Sequence, residues 1–251
     1  MGQHWLNDEP TLEAIIELAD LGQGDMVLEI GPGLGSLTRH LVQSAGSVIA
    51  IEKDETLALA LPKAVNAPNL EVIADDILTF DLTTLPAGYK VAANIPYYLT
   101  SNLIRILSES PNSPQLMVLL VQKEVAERIA AQPGQMSLLS VSAQLYYEPK
   151  LGPVVPAKLF EPPPKVDSQV IILKRRQMAL FGKIDTKQYF KVVKAGFSGR
   201  RKKLRGSLSA GLGISKAEAD ELLKKASIDG DLRAQNLSLQ DWHKLYAVMI
   251  K

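Results

Sequence analysis

The chain has 251 residues, 46% of them hydrophobic, enough for a sizeable buried core, yet it holds no apolar run of eighteen residues that could cross a bilayer. Without cysteine it forms no disulfide or thiolate metal site, and His4, His40 and His243 lack ligand spacing, so no metal is expected. The formal net charge of +1 hides an asymmetry: up to Gln177 there are 13 Lys+Arg against 20 Asp+Glu, and from Met178 onward 15 against 7.

Residues 1–8 lack a basic stretch followed by an apolar one, so no secretory leader is read there and a cytoplasmic location is expected. Short apolar runs at 26–30, 47–51, 70–74, 91–93 and 116–121 read as buried strands. Between them, 36–43, 55–65, 101–107 and 123–131 carry helical spacing. Strand and helix in turn imply βαβ units and a parallel sheet covered on both faces, with ligands at the carboxyl ends of the strands. Residues 138–147 predict a buried helix, and Pro149, Pro153 and Pro156 a turn-rich stretch. Pro162, Pro163 and Pro164 suit neither helix nor central strand and predict an extended loop. Residues 166–173 alternate as one more strand. From about Met178 strand signals vanish, and 189–197, 202–208, 216–225 and 239–250 suggest helices. The expected division is an α/β catalytic domain over 1–177 and a small, basic, all-helical domain over 178–251.

Between Thr186 and Ala217 lie nine basic residues and no acidic one: Lys187, Lys191, Lys194, Arg200, Arg201, Lys202, Lys203, Arg205 and Lys216. One sign at this density fits a polyanion footprint, the plain alternative being a solvated helix face. The run Arg200, Arg201, Lys202, Lys203 and Arg205 is the candidate phosphate-backbone contact, supplying affinity and salt dependence rather than sequence choice.

The chemistry gathers at strand ends. Gly31, Gly33 and Gly35 follow the first strand, where glycine lets the backbone turn sharply and approach a ligand. A dinucleotide fingerprint would place its third glycine one residue later, at Ser36, so the loop suits a nucleoside without a diphosphate. Glu29, ahead of the loop, fits an ammonium group better than a phosphate. Glu52 ends the second strand, where a carboxylate can accept both ribose hydroxyls. Asp75 and Asp76 follow the third, placed to accept from an adenine amine; solvated loop acids or helix caps are the alternatives. Asn94, Ile95, Pro96 and Tyr97 follow the fourth. The exocyclic nitrogen of adenine is a poor nucleophile because its lone pair is delocalised into the ring. Hydrogen bonds from its two N–H groups to the Asn94 side-chain oxygen and the Ile95 carbonyl would return density to nitrogen. Pro96 would fix the backbone, and Tyr97 would offer a stacking ring worth about 1–3 kcal/mol. Phe160 is either the second face of that aromatic sandwich or a core residue.

These residues resemble the KsgA family of small-subunit ribosomal RNA adenine dimethyltransferases along essentially the whole chain. The likeness runs in order through Gly2-Gln3-His4-Trp5-Leu6-Asn7, Glu29-Ile30-Gly31-Pro32-Gly33, Asn94-Ile95-Pro96-Tyr97, Gln122-Lys123-Glu124-Val125, the stretch from Phe160 to Ser168, and Arg200-Arg201-Lys202-Lys203-Leu204. It implies a Rossmann-like class I methyltransferase sheet that uses S-adenosyl-L-methionine to N6,N6-dimethylate two adjacent adenosines in a 3′-terminal hairpin loop of 16S rRNA. It implies further a monomer acting on the assembling small subunit, without a membrane partner; family members usually carry a short, often basic, extension ahead of the Gly-Gln motif, whereas here Met1 precedes Gly2 directly. Carried over by motif, His4 and Leu6 line the cofactor pocket with Gly31, Gly33, Glu52, Asp76 and Asn94. Trp5 stands where the family more often has Phe, a change expected to matter little. The rivals are a large-subunit rRNA adenine dimethyltransferase of the antibiotic-resistance type, a DNA adenine methyltransferase, a non-catalytic RNA-binding assembly factor and a nicotinamide dehydrogenase.

Overall fold

A computed structural model of the chain describes residues 4–199 and 201–250. Packing divides it into two compact units. One comprises residues up to Glu127 together with Tyr147–Arg175, and the other Arg128–Tyr146 and the residues from Arg176 on. The sequence reading cut the chain once, at 177/178. Packing instead cuts at 175/176 and assigns 128–146 to the helical unit.

The first unit is built on strands β2 (Met26–Ile30), β3 (Ser47–Glu52), β4 (Leu70–Ala74), β5 (Lys90–Asn94), β6 (Leu116–Gln122), β7 (Tyr147–Val155) and β9 (Ser168–Arg175), in the order β4-β3-β2-β5-β6-β9-β7. The first five are parallel, whereas β9 runs antiparallel to β6 and β7 antiparallel to β9. Val27 faces both Val48 on β3 and Lys90 on β5, so β2 is the strand from which the order departs in two directions. Alternate side chains of a strand point to opposite faces. Val27, Ala92, Val118 and Val170 on one face and Leu28, Val91, Met117 and Ile171 on the other are all buried, so both faces are covered. A separate two-stranded sheet pairs β1 (Trp5–Leu6) with β8 (Phe160–Glu161).

Helices α1 (Glu9–Ala19), α2 (Ser36–Ser44), α3 (Glu55–Val65), α4 (Thr100–Glu109) and α5 (Lys123–Ile129) connect the strands. Asp8 caps α1 by accepting from Thr11 N, and Asp54 caps α3 by accepting from Thr56 N and Leu57 N. Leu12 and Ile15 of α1 and Leu37 and Leu41 of α2 pack into one cluster with Val27, Val48 and Val118. The expected strands and helices of the first 130 residues are all present.

The stretch expected to be turn-rich is a nine-residue strand, β7. It tolerates Pro149 and Pro153 because it lies at the edge of the sheet, where a missing N–H costs no ladder bond, and its register shifts between Leu151 and Val154.

In the second unit, α6 (Leu138–Tyr146), α7 (Thr186–Phe197), α8 (Leu204–Leu212), α9 (Lys216–Lys225) and α10 (Leu239–Met249) enclose their own core. Val141, Leu145, Tyr189, Val193, Leu208, Leu223, Trp242 and Leu245 are buried together there. Ser215–Glu218 and Ser238–Asp241 form reciprocal capping pairs that start α9 and α10.

Lys90 is buried at the start of β5, its ammonium donating to Asp25 Oδ2 at 3.0 Å and to the Asp20 carbonyl. Removing one partner strands the other. Lys90→Met should therefore lower stability by about 2–3 kcal/mol, below the range for a fully buried pair because Asp25 keeps some solvent. Adding Asp25→Leu should recover most of the loss. Urea denaturation of both variants checks this, and an additive double mutant would show that the pair is not coupled.

Candidate active site

A cavity of about 280 Å³ opens at the carboxyl ends of β2, β3, β4 and β5. The loops after those strands line it with Gly31, Glu52, Asp76 and Asn94, and His4, Trp5, Leu6 and Phe160 close it from elsewhere in the chain. The expected catalytic and cofactor residues therefore converge on it, except Gly33, which is not among its lining residues, although up to 156 positions separate His4 from Phe160.

Gly31 and Gly33 have φ of +67° and +56°, a left-handed conformation costly for residues with a Cβ. A Cβ on Gly33 would also sit 2.0 Å from Cζ3 of Trp5. Gly33 N donates to Glu52 Oε2 at 3.1 Å and Asp54 N to Oε1 at 3.0 Å, so both carboxylate oxygens are oriented while each keeps accepting capacity.

Glu29 is buried at the cavity wall. Burial pushes its carboxyl up to about 8; the Thr38 hydroxyl pulls the other way, and the Glu52 charge adds to the rise. Among the described residues, Glu29 Oε2 and Thr38 Oγ1 complete no hydrogen bond of ordinary geometry, so this acid retains an unanswered oxygen.

Asp76 accepts from Lys53 Nζ at 2.8 Å and from Leu78 N at 3.0 Å, and the Lys53 bond leads the effects that hold its carboxyl below the usual range. Asp75 accepts from Asp76 N at 2.6 Å.

Asn94 ends β5, and its amide nitrogen donates to the His4 carbonyl at 3.2 Å, which orients the side-chain oxygen as an acceptor. Ile95 N donates to Leu120 O at 3.1 Å, and Pro96 O accepts from Leu99 N at 2.9 Å, so the turn is tied to β6 and to the start of α4. The Tyr97 hydroxyl bonds Ser168 Oγ at 2.9 Å, and its ring stacks with His4 at 5.8 Å between centroids. His4 Nδ1 lies 2.6 Å from Pro162 O. Phe160 is buried in the core around α1 and also lines the cavity.

In the helical unit, Arg200 lies outside the described residues, while Arg201 and Lys202 are exposed. Lys203 Nζ meets Asp231 at 3.0 Å, and Arg205 meets Asp231 at 2.6 Å and Asp220 at 3.4 Å. Two members of the expected RNA-contacting run already have acidic partners.

The sequence profile described as ribosomal RNA adenine dimethylase matches residues 1–251. The chain belongs to that family. It is 43% identical to the ribosomal RNA small subunit methyltransferase A of Dehalococcoides mccartyi, across 99% of this chain and 87% of that one. To the enzyme of the same name from Rippkaea orientalis it is 40% identical, across 96% and 93%. Among solved structures, a dimethyladenosine transferase from Plasmodium falciparum superposes with a TM-score of 0.83 at 28% identity, covering 96% of each chain. The 23S rRNA methyltransferase ErmE gives 0.77 at 29%, covering 98% and 100%. The seven-stranded sheet is thus the class I methyltransferase fold, and this adenine dimethylase is an S-adenosylmethionine-dependent enzyme.

The residues at the cavity fit that group. Five carboxylates line it (Glu29, Glu52, Asp54, Asp75, Asp76) against one lysine, Lys53, a balance that repels a diphosphate and attracts a cation. When bound, S-adenosylmethionine supplies an electrophilic methyl group and carries an ammonium that the unanswered Glu29 oxygen suits. Glu52 would be the residue to receive its ribose hydroxyls, and Asp76 its adenine amine.

Sequence reasoning undervalued Trp5, whose ring occupies the space that Gly33 leaves by lacking a side chain. It passed over Lys53, which adjoins Glu52, and over Leu34 and Tyr98, which line the cavity while 50% and 78% exposed. Exposed apolar groups beside a pocket carry no periodic signal, so only the fold reveals them.

A carboxyl whose folded value lies above its unfolded one favours folding when protonated, so the cofactor-free enzyme should lose stability as pH rises from about 4.5 through about 8. Glu29→Gln should flatten this slope, raise Tm at pH 8 and weaken S-adenosylmethionine binding by roughly tenfold or more. Wild-type binding near pH 7 should release protons as Glu29 ionises against the ammonium. Calorimetry in buffers of different ionisation enthalpy reads this directly, and identical heats would remove Glu29 from ammonium recognition.

Proposed function

We propose that this adenine dimethylase methylates N6 of two adjacent adenosines in the 3′-terminal hairpin loop of 16S rRNA, acting as a monomer on the assembling small subunit in the cytoplasm. The observation that carries the chemistry is the oriented acceptor pair at the end of β5. Asn94 spends its amide N–H on the His4 carbonyl, leaving its oxygen for the adenine amine beside the Ile95 carbonyl. Two acceptors on the two N–H groups draw electron density from the ring back to nitrogen. Pro96 restricts the turn, and Tyr97 and Phe160 border the space for the extruded base. Once alkylated, the nitrogen is acidic enough to release its proton to water, so no strong base is needed.

On this reading His4, Leu6, Gly31, Glu52 and Asp76 line the cofactor side of the cavity, shared with Asn94, and Gly33 supports it from behind by orienting Glu52. Residues 178–251 serve RNA and ribosome binding, with Arg201 and Lys202 on phosphates. Preference for the small subunit rests on 43% and 40% identity to small-subunit enzymes over nearly the full chain, against 29% to ErmE. Methylation of the large subunit is the second reading, supported by the ErmE likeness.

Asn94→Ala should lower methyl transfer by roughly 10²–10³-fold, as loss of one positioned hydrogen-bonding group does, while cofactor affinity changes far less. Turnover within twofold of wild type would refute the assigned role. Mass spectrometry of rRNA after incubation of undermethylated small and large subunits with labelled cofactor decides the substrate. Label confined to the large subunit would establish the rival.

A further inference from the structure

Helix α7 reads Thr-Lys-Gln-Tyr-Phe-Lys-Val-Val-Lys-Ala-Gly-Phe and contains no acidic residue. Its buried side holds Tyr189, Phe190, Val192 and Val193. Lys187, Lys191 and Lys194 are exposed, at spacings of four and three that set them in one row on the helix surface. Like charges one turn apart repel, and Lys187 sits in the first turn, where the helix dipole disfavours a cation. Among the described residues none of the three has an acidic partner within 4.0 Å.

Several other helices pair a cation with an acid, although Lys63 on α3 and Lys216 and Lys224 on α9 have no acidic partner within 4.0 Å among the described residues. Arg105 has Glu109, Lys123 has Glu127, Lys225 has Glu221 and Lys244 has Asp241. The contrast extends to the basic run after α7. Lys203 and Arg205 converge on Asp231, and Arg205 also on Asp220, while Leu204 N donates to Leu232 O and Arg205 N to Gly230 O. Those side chains and main-chain bonds together fasten the start of α8 to the 229–232 loop.

We propose that the row Lys187, Lys191 and Lys194 on α7 is a phosphate-binding face for the substrate RNA, and that Lys203 and Arg205 are structural cations clamping α8. This rests on the reading that the substrate is ribosomal RNA. A merely solvated face would gain from alternating charge, whereas an unrelieved row of one sign is an arrangement that a polyanion relieves. Spaced along one side of the helix, the three ammonium groups act as point charges that track a backbone without reading bases.

The test uses the full chain with lysine-to-glutamine changes at all three positions, and separately Lys191→Glu, which seats an acid between two lysines. Both variants should melt at or above the wild-type temperature. Binding to a protein-free 3′ fragment of 16S rRNA at low salt should weaken at least tenfold for the triple variant. The slope of log affinity against log salt should fall by roughly 2 units, about 0.7 for each lost contact with a single strand. Arg205→Ala should do the opposite, lowering Tm while leaving that slope within half a unit of wild type. Unchanged affinity and slope in the triple variant would overturn the proposal. So would a defect seen on intact subunits but absent on naked RNA, because it would assign the row to a ribosomal protein. Wild-type methyl transfer to undermethylated small subunits, run alongside, reads the underlying substrate assignment independently.

Discussion

The parallel pairing of β2 with β5 is the constraint on which the site depends. Val27 lies opposite Lys90 and Glu29 opposite Ala92, although β3, β4 and three helical segments intervene in the chain. Because β3 lies on one side of β2 and β5 on the other, the loops leaving β2 and β5 diverge and open a crevice at their carboxyl ends. The glycine loop, Glu52 and Asp76 stand on one flank of that crevice and the Asn94 turn on the other. On the proposed assignment, donor and acceptor of the methyl group would approach from opposite flanks of a single strand.

Electrostatics then separates two tasks that conflict. Acidic side chains favour a cation, and five line the cavity, Glu29 among them with its carboxyl raised by burial. The same carboxylates repel RNA. On the proposed reading the target enters as a neutral base, and the cations that hold its backbone stand elsewhere. The sequence segregates accordingly, with 13 basic against 20 acidic residues up to Gln177 and 15 against 7 afterwards. Tyr97 and Phe160 suit the neutral part of the substrate, since ring faces bind bases without regard to charge.

The N-terminal segment joins the two sides of the pocket. Trp5 and Leu6 pair with Glu161 and Phe160, the His4 carbonyl takes the Asn94 amide, and the His4 ring meets Tyr97. Trp5 rests on Gly33 of the cofactor loop. Residues 4–6 therefore touch both the glycine loop and the Asn94 turn.

Local pattern determined much of this protein. Alternation of apolar runs and helical spacing was enough to place the five parallel strands, because each is a short stretch whose burial on both faces requires continuous hydrophobicity. Glycine spacing and the acids at successive strand ends were legible for the same reason: chemistry at a sheet edge stays close in sequence to its strand. Tertiary structure decided what depends on partners distant in the chain. Pro149 and Pro153 read as turns because a proline's cost depends on whether its strand is central or at an edge, a fact absent from the strand itself. Residues 128–146 read as part of the catalytic domain, yet their apolar side chains pack with helices α7 to α10 much further along the chain. Glu29 could be seen as acidic, but its retained proton and unanswered oxygen arise from burial by neighbours. A run of cations likewise announces charge, while only Asp220 and Asp231, brought in by folding, decide which of them are already neutralised.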